Sequence, residues 1–316
     1  MVTIKAIRDA NKSISSNFTV IFVGATSGIG LGAVETLLKS TTASKIYIIG
    51  RSQSSFAPTL AKLKNLNASA EIIFIEAQVS LLKDVERVCT IINTQESTID
   101  LLWLSQGGLP GGHILTPEGL FEFLAIGYYS RLLFMSRLVP LLNKASNPRV
   151  VSVLTASQEG AINTADMGVL DPKNYNLFPT MRQGVMMMSL SMKELSMQNP
   201  KISFVHTNPG MVSTNVHHNW ANSMTGYFTV FRWLLEWVLI PLMHIVGSTS
   251  EEAGEIGLYE LTTERYGVGT GNNFFRLDEK AEDAGANSLL EKYEEDGTQK
   301  KVWEHTLEVF DKVLAQ

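Results

Sequence analysis

Short apolar runs of strand length alternate with longer stretches of helical periodicity along most of the chain. The runs at 18–23, 45–49, 71–75, 99–104, 149–154, 202–207 and 271–276 predict strands. Between them, apolar residues recur at helical spacing near 29–40, 57–66, 81–94, 118–143 and 180–198. That rhythm predicts an α/β fold, a doubly wound parallel sheet of about seven strands, because parallel neighbours need crossover helices that cover both faces. Residues 1–12 predict a short extra helix, and Val302, Leu307, Phe310, Val313 and Leu314 predict a last helix over 298–316 that docks on the body. Such sheets bind ligands beyond the carboxyl ends of their strands, so chemistry is expected in the loops after 23, 49, 104, 154 and 207.

The first of these loops is the most informative. Phe18 to Val23 lead into a turn bearing Gly24, Gly28 and Gly30, and a helical pattern starts at Ile29. Gly28, Gly30 and Ala33 fit the G-x-G-x-x-G/A dinucleotide fingerprint in its strand–turn–helix setting. Gly28 is expected to allow the tight turn, Gly30 to let the backbone approach a pyrophosphate, and Ala33 to bring helix and strand together. The phosphates would meet free N–H groups at the positive end of the helix. NAD sites usually carry an acid about 20 residues past the glycines. Here the second strand ends in Ile49-Gly50-Arg51-Ser52, and the guanidinium suits a 2′-phosphate. With a hydroxyl donor from Ser27, this predicts NADP(H) over NAD(H).

Composition narrows the picture without changing it. The 316 residues contain no Pro/Gly/Ser-rich linker, so one elaborated domain is expected rather than two. A net charge of −5 gives no reason to expect a nucleic-acid partner. The single cysteine, Cys89, excludes an internal disulfide and falls among Val85, Val88 and Ile92 as a core thiol. The N-terminal residues lack an apolar secretory core, so a cytoplasmic location is expected.

The glycine loop, Arg51 and Pro209-Gly210-Met211-Val212-Ser213-Thr214 together resemble the short-chain dehydrogenase/reductase family over about 18–276. Leu102-Trp103-Leu104-Ser105-Gln106-Gly107 and Tyr128-Tyr129-Ser130-Arg131 resemble a fungal subgroup common around secondary metabolism. The resemblance implies a single Rossmann-like domain with a substrate lid after strand six. The corresponding divisions are 1–17 as an extension, 18–212 as the nucleotide-binding core, 213–250 as a helical lid and 251–316 as a C-terminal part. It also implies a nucleotide site built from Gly24, Thr26, Ser27, Gly28, Ile29, Gly30, Arg51, Gln78, Val79, Ser105, Gly107, Pro209, Gly210, Val212 and Thr214, with Thr214 near the carboxamide.

The chain departs from the family most where catalysis should lie. Val23 stands for the threonine that opens the glycine loop, Gln78 for the acid near the adenine, and Leu104-Ser105-Gln106-Gly107 for an N-N-A-G turn. The family's catalytic Asn, Ser, Tyr and Lys fare worse. The asparagine position reads Gly127, the serine position Thr155, and no Y-x-x-x-K occurs anywhere. A phenol that ionises near pH 10 needs such help at neutrality. Thr155 can still donate a hydrogen bond to an oxygen. Tyr128 and Tyr129 follow the lost asparagine, Tyr175 precedes the lysine-less helix, and His206 ends strand six; each is a candidate proton donor or a structural residue. His217 and His218 lack an acidic partner in sequence, so no metal is expected. The methionines at 181, 186, 187, 188, 192 and 197 are expected to pack that helix, and would also suit a large apolar ligand.

Residues 227–246, YFTVFRWLLEWVLIPLMHIV, are the most hydrophobic stretch, with Arg232, Glu236 and His244 in one narrow stripe. That pattern suits a substrate lid, a dimer contact or a membrane-surface helix better than a span. The functional expectation is an NADP(H)-dependent reductase of a bulky apolar substrate that is already activated, of iminium, enone or quinone type. The alternatives are a non-redox isomerase, cyclase or dehydratase on the same fold, or a nucleotide-binding sensor without turnover. A homo-oligomer is expected from the resemblance.

Overall fold

The structure is a computed structural model and describes residues 2–14, 16–109, 111–213 and 247–315. Seven parallel strands form one sheet: β1 (Thr19–Val23), β2 (Lys45–Gly50), β3 (Glu71–Glu76), β4 (Leu101–Leu104), β5 (Arg149–Val153), β6 (Ser203–Thr207) and β7 (Phe274–Leu277). Their order is β3-β2-β1-β4-β5-β6-β7, so the winding direction reverses between β1 and β4. Val23 stands beside Ile49 on one side and Leu104 on the other, which aligns the carboxyl ends of the central strands.

Helices cover both faces. On one lie α1 (Ile4–Lys12), α2 (Gly28–Ser40), α3 (Gln53–Leu66) and α8 (Ser250–Thr262), packed on Val20, Phe22, Ile48 and Trp103. On the other lie α4 (Leu82–Gln95), α5 (Glu122–Leu124), α6 (Ser130–Leu142), α7 (Leu177–Gln198), α9 (Ser288–Glu295) and α10 (Thr298–Leu314), packed on Ile21, Tyr47, Leu102 and Phe204. This is the doubly wound architecture that the alternating pattern predicts. Cys89 is buried in the second layer, where burial pushes its thiol pKa up. Of the methionines, Met186, Met187, Met188 and Met192 are core, whereas Met197 is 66% exposed because it lies in the last turn.

Two features depart from the sequence pattern. The helix expected over 118–143 starts at Glu122 and passes through a π turn, Ala125–Tyr129, between α5 and α6. Helix α8 is not among the predicted helices: it buries Ala253, Leu258 and Leu261, but Gly254 and Gly257 interrupt that stripe on its contact face. A Cβ at Gly254 would meet the Gly32 carbonyl carbon at 2.4 Å, and one at Gly257 would meet the Trp103 ring at 2.1 Å. Close approach has replaced side-chain burial there. The Ser213 N–H donates to the Ser248 carbonyl at 3.0 Å. The expected lid segment 227–246, together with Thr214, His217 and His218, lies outside the described residues.

Candidate active site

At the reversal point between β1 and β4 the crossover helices diverge, and a crevice opens beyond the strand ends. The described residues line a cleft there of about 460 Å³. Gly24, Thr26, Ser27, Gly28, Ile29, Gly30, Arg51, Gln78, Val79, Ser105, Gly107, Thr155, Pro209, Gly210 and Val212 all border it.

One end of the cleft is made of main chain. Gly24 and Gly28 take φ of +81° and +58°, values that favour glycine. A Cβ on Gly24 would lie 2.3 Å from the Gln106 nitrogen. Gly30 works differently from expectation: a Cβ there would meet the Ala25 Cα and the Gly24 oxygen at 2.7 Å, so it is packing within the protein that excludes a side chain. Ser27 caps α2 without using its hydroxyl, and the first-turn N–H groups have no intrahelical acceptor. These free donors, facing a cradle of glycines, fit the pyrophosphate of a nicotinamide dinucleotide.

The adenosine side follows from β2 and β3. Arg51 is exposed and pairs with no acid among the described residues. Glu76, beside Gly50 in the sheet, is occupied at the start of α3, where its carboxylate accepts from the Gln53 N–H at 2.7 Å. The Gln78 amide donates to Ser80 at 2.9 Å. Ser105 is committed to the protein: its hydroxyl accepts from the Trp103 indole at 2.8 Å and donates to the Gly24 carbonyl at 3.0 Å.

The other end is apolar and lined by Leu109, Phe123, Leu124, Ile126, Leu154, Met181 and Val185. Gly127, at the lost asparagine position in the π turn, faces open space. Met181, Gly184 and Val185 are what α7 presents to the cleft, with no ammonium or phenol. Glu122 is the one carboxylate among the described lining residues.

The expected proton donors point elsewhere, which corrects the sequence-based assignment. Tyr128 borders the cleft, but its hydroxyl is turned into the core, 2.6 Å from Thr306 Oγ1 and 2.8 Å from Ser191 Oγ. Thr306 donates to the Val302 carbonyl, so it accepts from Tyr128, and the phenolic proton is spent on that bond. Burial pushes the Tyr128 pKa up as well. The Tyr129 hydroxyl meets His305 Nε2 at 2.8 Å. Tyr175 packs edge-on against Phe121, outside the cleft lining. His206 is fully buried on β6, with Nδ1 2.8 Å from Ser189 Oγ. Ser189 donates to Glu159 at 2.9 Å, which leaves His206 as a neutral Nδ1–H donor, and burial lowers its pKa to about 3. Thr155 is the one expected reaction-end residue with no such commitment of its side chain among the described residues.

Two lining residues escaped sequence reasoning. Gln106 is buried with its Oε1 unpartnered. Arg131 is fully buried under the cleft floor, donating to the carbonyls of Leu104 at 3.1 Å and Val153 at 2.8 Å, to Ser152 Oγ at 2.9 Å and to the Gln106 carbonyl. A lone arginine in the apolar run LLFM was the available signal for it.

Against known proteins, residues 18–225 match the family model described as short chain dehydrogenase. The chain belongs to the short-chain dehydrogenase/reductase family of oxidoreductases. Over 99% of its length it is 31% identical to the oxidoreductase lepF of Aspergillus flavus, covering 98% of that protein. It is also 32% identical to the oxidoreductase AN1596 of Emericella nidulans, with 99% of each chain covered. Among solved structures it resembles an NADPH-bound carbonyl reductase from chicken fatty liver (TM-score 0.58, 16% identity, 84% and 98% coverage). A second likeness is L-sorbose reductase from Gluconobacter frateurii complexed with NADPH and L-sorbose (TM-score 0.61, 16% identity, 84% and 97% coverage). These two likenesses show the fold. Among the described residues no helix is long and apolar enough to cross a membrane, and no group of His, Cys, Asp or Glu is placed to hold a metal.

Proposed function

We propose that this family member is an NADP(H)-dependent reductase of a bulky, apolar acceptor that arrives already activated, as in fungal secondary metabolism. The observation that carries the reading is the reaction end of the cleft: apolar walls, the Thr155 hydroxyl, and, among the described lining residues, no phenol, imidazole or ammonium group free to give a proton. A reduced nicotinamide bound there supplies a hydride. The first turn of α2 holds its pyrophosphate, and Arg51 takes the 2′-phosphate as a planar fork of donors. Thr155 donates a hydrogen bond to the acceptor, while Phe123, Leu124, Met181 and Val185 exclude water and fix its orientation. An iminium, enone or quinone accepts hydride without a strong acid, so such a site suffices.

Fluorescence titration with NADPH and NADH, followed by incubation with one acceptor of each type, tests the reading. The expected result is tighter binding of NADPH and its consumption with at least one acceptor. Product formation with the reduced nicotinamide untouched would overturn it in favour of isomerase, cyclase or dehydratase chemistry on this fold.

A further inference from the structure

We propose that Arg131 places a positive charge, balanced by no carboxylate among the described residues, beneath the reaction end and so selects acceptors whose oxygen becomes anionic. These are conjugated enones and quinones, preferred over iminium ions. The inference rests on the reductase reading and narrows its substrate class.

The position is set by the fold. Arg131 sits on α6, and its guanidinium bonds the carbonyls of Leu104 and Val153, the last residues of β4 and β5. It borders the cleft, and a Cβ built on Gly107 would lie 3.4 Å from Nη2. The main chain at Gln106 and Gly107 contacts the cation on that side. A guanidinium has five donor hydrogens. Nε and one Nη2 hydrogen go to the Gln106 carbonyl and Nη1 to Leu104, Ser152 and Val153, so one Nη2 hydrogen has no acceptor among the described residues.

Among the described residues no carboxylate balances this charge. Arg276, on the same face, forms a salt bridge with Glu159 at 2.7 Å; Arg149, at the opposite end of β5, feels Glu264. Arg131 has neither among the described residues. Burial alone acts on it, lowering its pKa to about 9, and it stays charged at neutrality. The charged and titratable groups around it do not cancel it: Glu159 and Arg276 neutralise each other, His206 is neutral, and Glu122 stands half-exposed on the cleft wall. A buried charge acts through a low dielectric, whereas a solvated one is screened.

The chemistry follows from where charge develops. When hydride adds to the β-carbon of an enone, a C–H bond forms and the alkene pair moves to make an enolate. The oxygen takes the negative charge, the nicotinamide is oxidised, and water later protonates the α-carbon. A cation under the floor, with Thr155 donating a hydrogen bond, favours that oxyanion without moving a proton. An iminium ion brings a positive charge to the same place and gains nothing from it. Arg131 is thus a positioning residue for charge, acting across the main chain.

The test uses 4-nitrophenol as the probe, with the full chain saturated with NADPH, whose reduced nicotinamide ring is uncharged, and reads the phenolate absorption band against pH. In the wild type, bound phenolate should be favoured over bound phenol at least about tenfold beyond free solution. Thr155→Val should weaken binding of the probe, which locates it at the floor. Arg131→Met should bind NADPH and nitrophenol but lose the preference, and Arg131→Lys should restore most of it. Equal affinity for phenol and phenolate in the wild type overturns the inference, and that measurement decides even if Arg131→Met fails to fold. Persistence of the preference in Arg131→Met, or its loss in Arg131→Lys, overturns it also. Enone reduction without a phenolate preference sinks this inference alone. A preference with no NADPH consumption by any acceptor sinks the reductase reading and leaves the charge in place.

Discussion

The two ends of the cleft are built from different materials. At the nucleotide end the working groups are main-chain N–H groups and glycines whose missing side chains leave room. At the reaction end they are side chains, mostly apolar, and among the described residues Tyr128, Tyr129 and His206 have their head groups drawn into the core. Main-chain donors at a helix start depend on backbone geometry alone, so that end tolerates Val23 and Gln78 in place of the family's usual residues. Proton transfer depends on particular head groups at particular points. On the proposed reading, losing the tyrosine and lysine alters the reaction, whereas the nucleotide end keeps its form.

The largest expected effect breaks the nucleotide end. In Gly24→Ala the new Cβ would sit 2.3 Å from the Gln106 nitrogen and 2.6 Å from the Ser105 carbonyl carbon, at a φ of +81°. Main chain cannot move aside as a flexible side chain can. Chemical denaturation should show a loss of about 4 kcal/mol or more. A variant of near wild-type stability would mean that the β1 and β4 loops separate easily, contrary to the packing described.

Arg51→Asp comes next and sharpens the same end. The guanidinium is exposed and spends nothing on the fold, so stability should be unchanged. NADPH affinity should fall about a hundredfold, the scale of charge-assisted bonds to a phosphate, while NADH affinity changes little. Equal losses for both nucleotides would show that Arg51 does not contact the 2′-phosphate.

A smaller effect reports on the core behind the reaction end. His206 is buried and neutral, with its pKa lowered to about 3 against 6.5 when unfolded. Above pH 6.5 both states hold the same proton, so the histidine adds no pH dependence there. Below it the unfolded chain takes up a proton that the folded one refuses, and stability falls as pH drops. From about pH 6.5 to about pH 5 that slope should amount to about 1–2 kcal/mol. His206→Asn, which keeps a donor for Ser189, should flatten it. An equally steep slope in the variant would assign the effect to other groups.

The same contrast explains what the sequence revealed. Strands and crossover helices announced themselves through periodic burial, and the glycine loop through residues whose absence of side chain is the signal. Helix α8 stayed hidden because Gly254 and Gly257 interrupt the stripe of Ala253, Leu258 and Leu261. The reaction end was legible only as a set of losses. Tyr128, Tyr129, Tyr175 and His206 carried the right chemistry, but partners distant in sequence decide where each head group points: Thr306 for Tyr128, His305 for Tyr129, Phe121 for Tyr175 and Ser189 for His206. Arg131 read as one charge in an apolar helix, and only the sheet ends that it ties together give it a role.

Tyr128→Phe has an expected effect no larger than the His206 slope, and bears most directly on whether the reaction end works without a tyrosine. The phenol donates to Thr306, which in turn donates to Val302, and it accepts from Ser191. Removing the hydroxyl leaves Thr306 its bond to Val302 but strands the Ser191 hydroxyl, which has no other partner among the described residues. A buried donor left unpaired costs about 1–2 kcal/mol, which thermal or chemical unfolding can resolve. Nothing in the cleft changes, so the rate of NADPH consumption with an accepted substrate should stay within about twofold of wild type, well short of the factors of 10²–10⁴ typical for loss of a general acid. A fall of that larger size with stability intact would return Tyr128 to the chemistry and require its hydroxyl to swing out of the core during turnover.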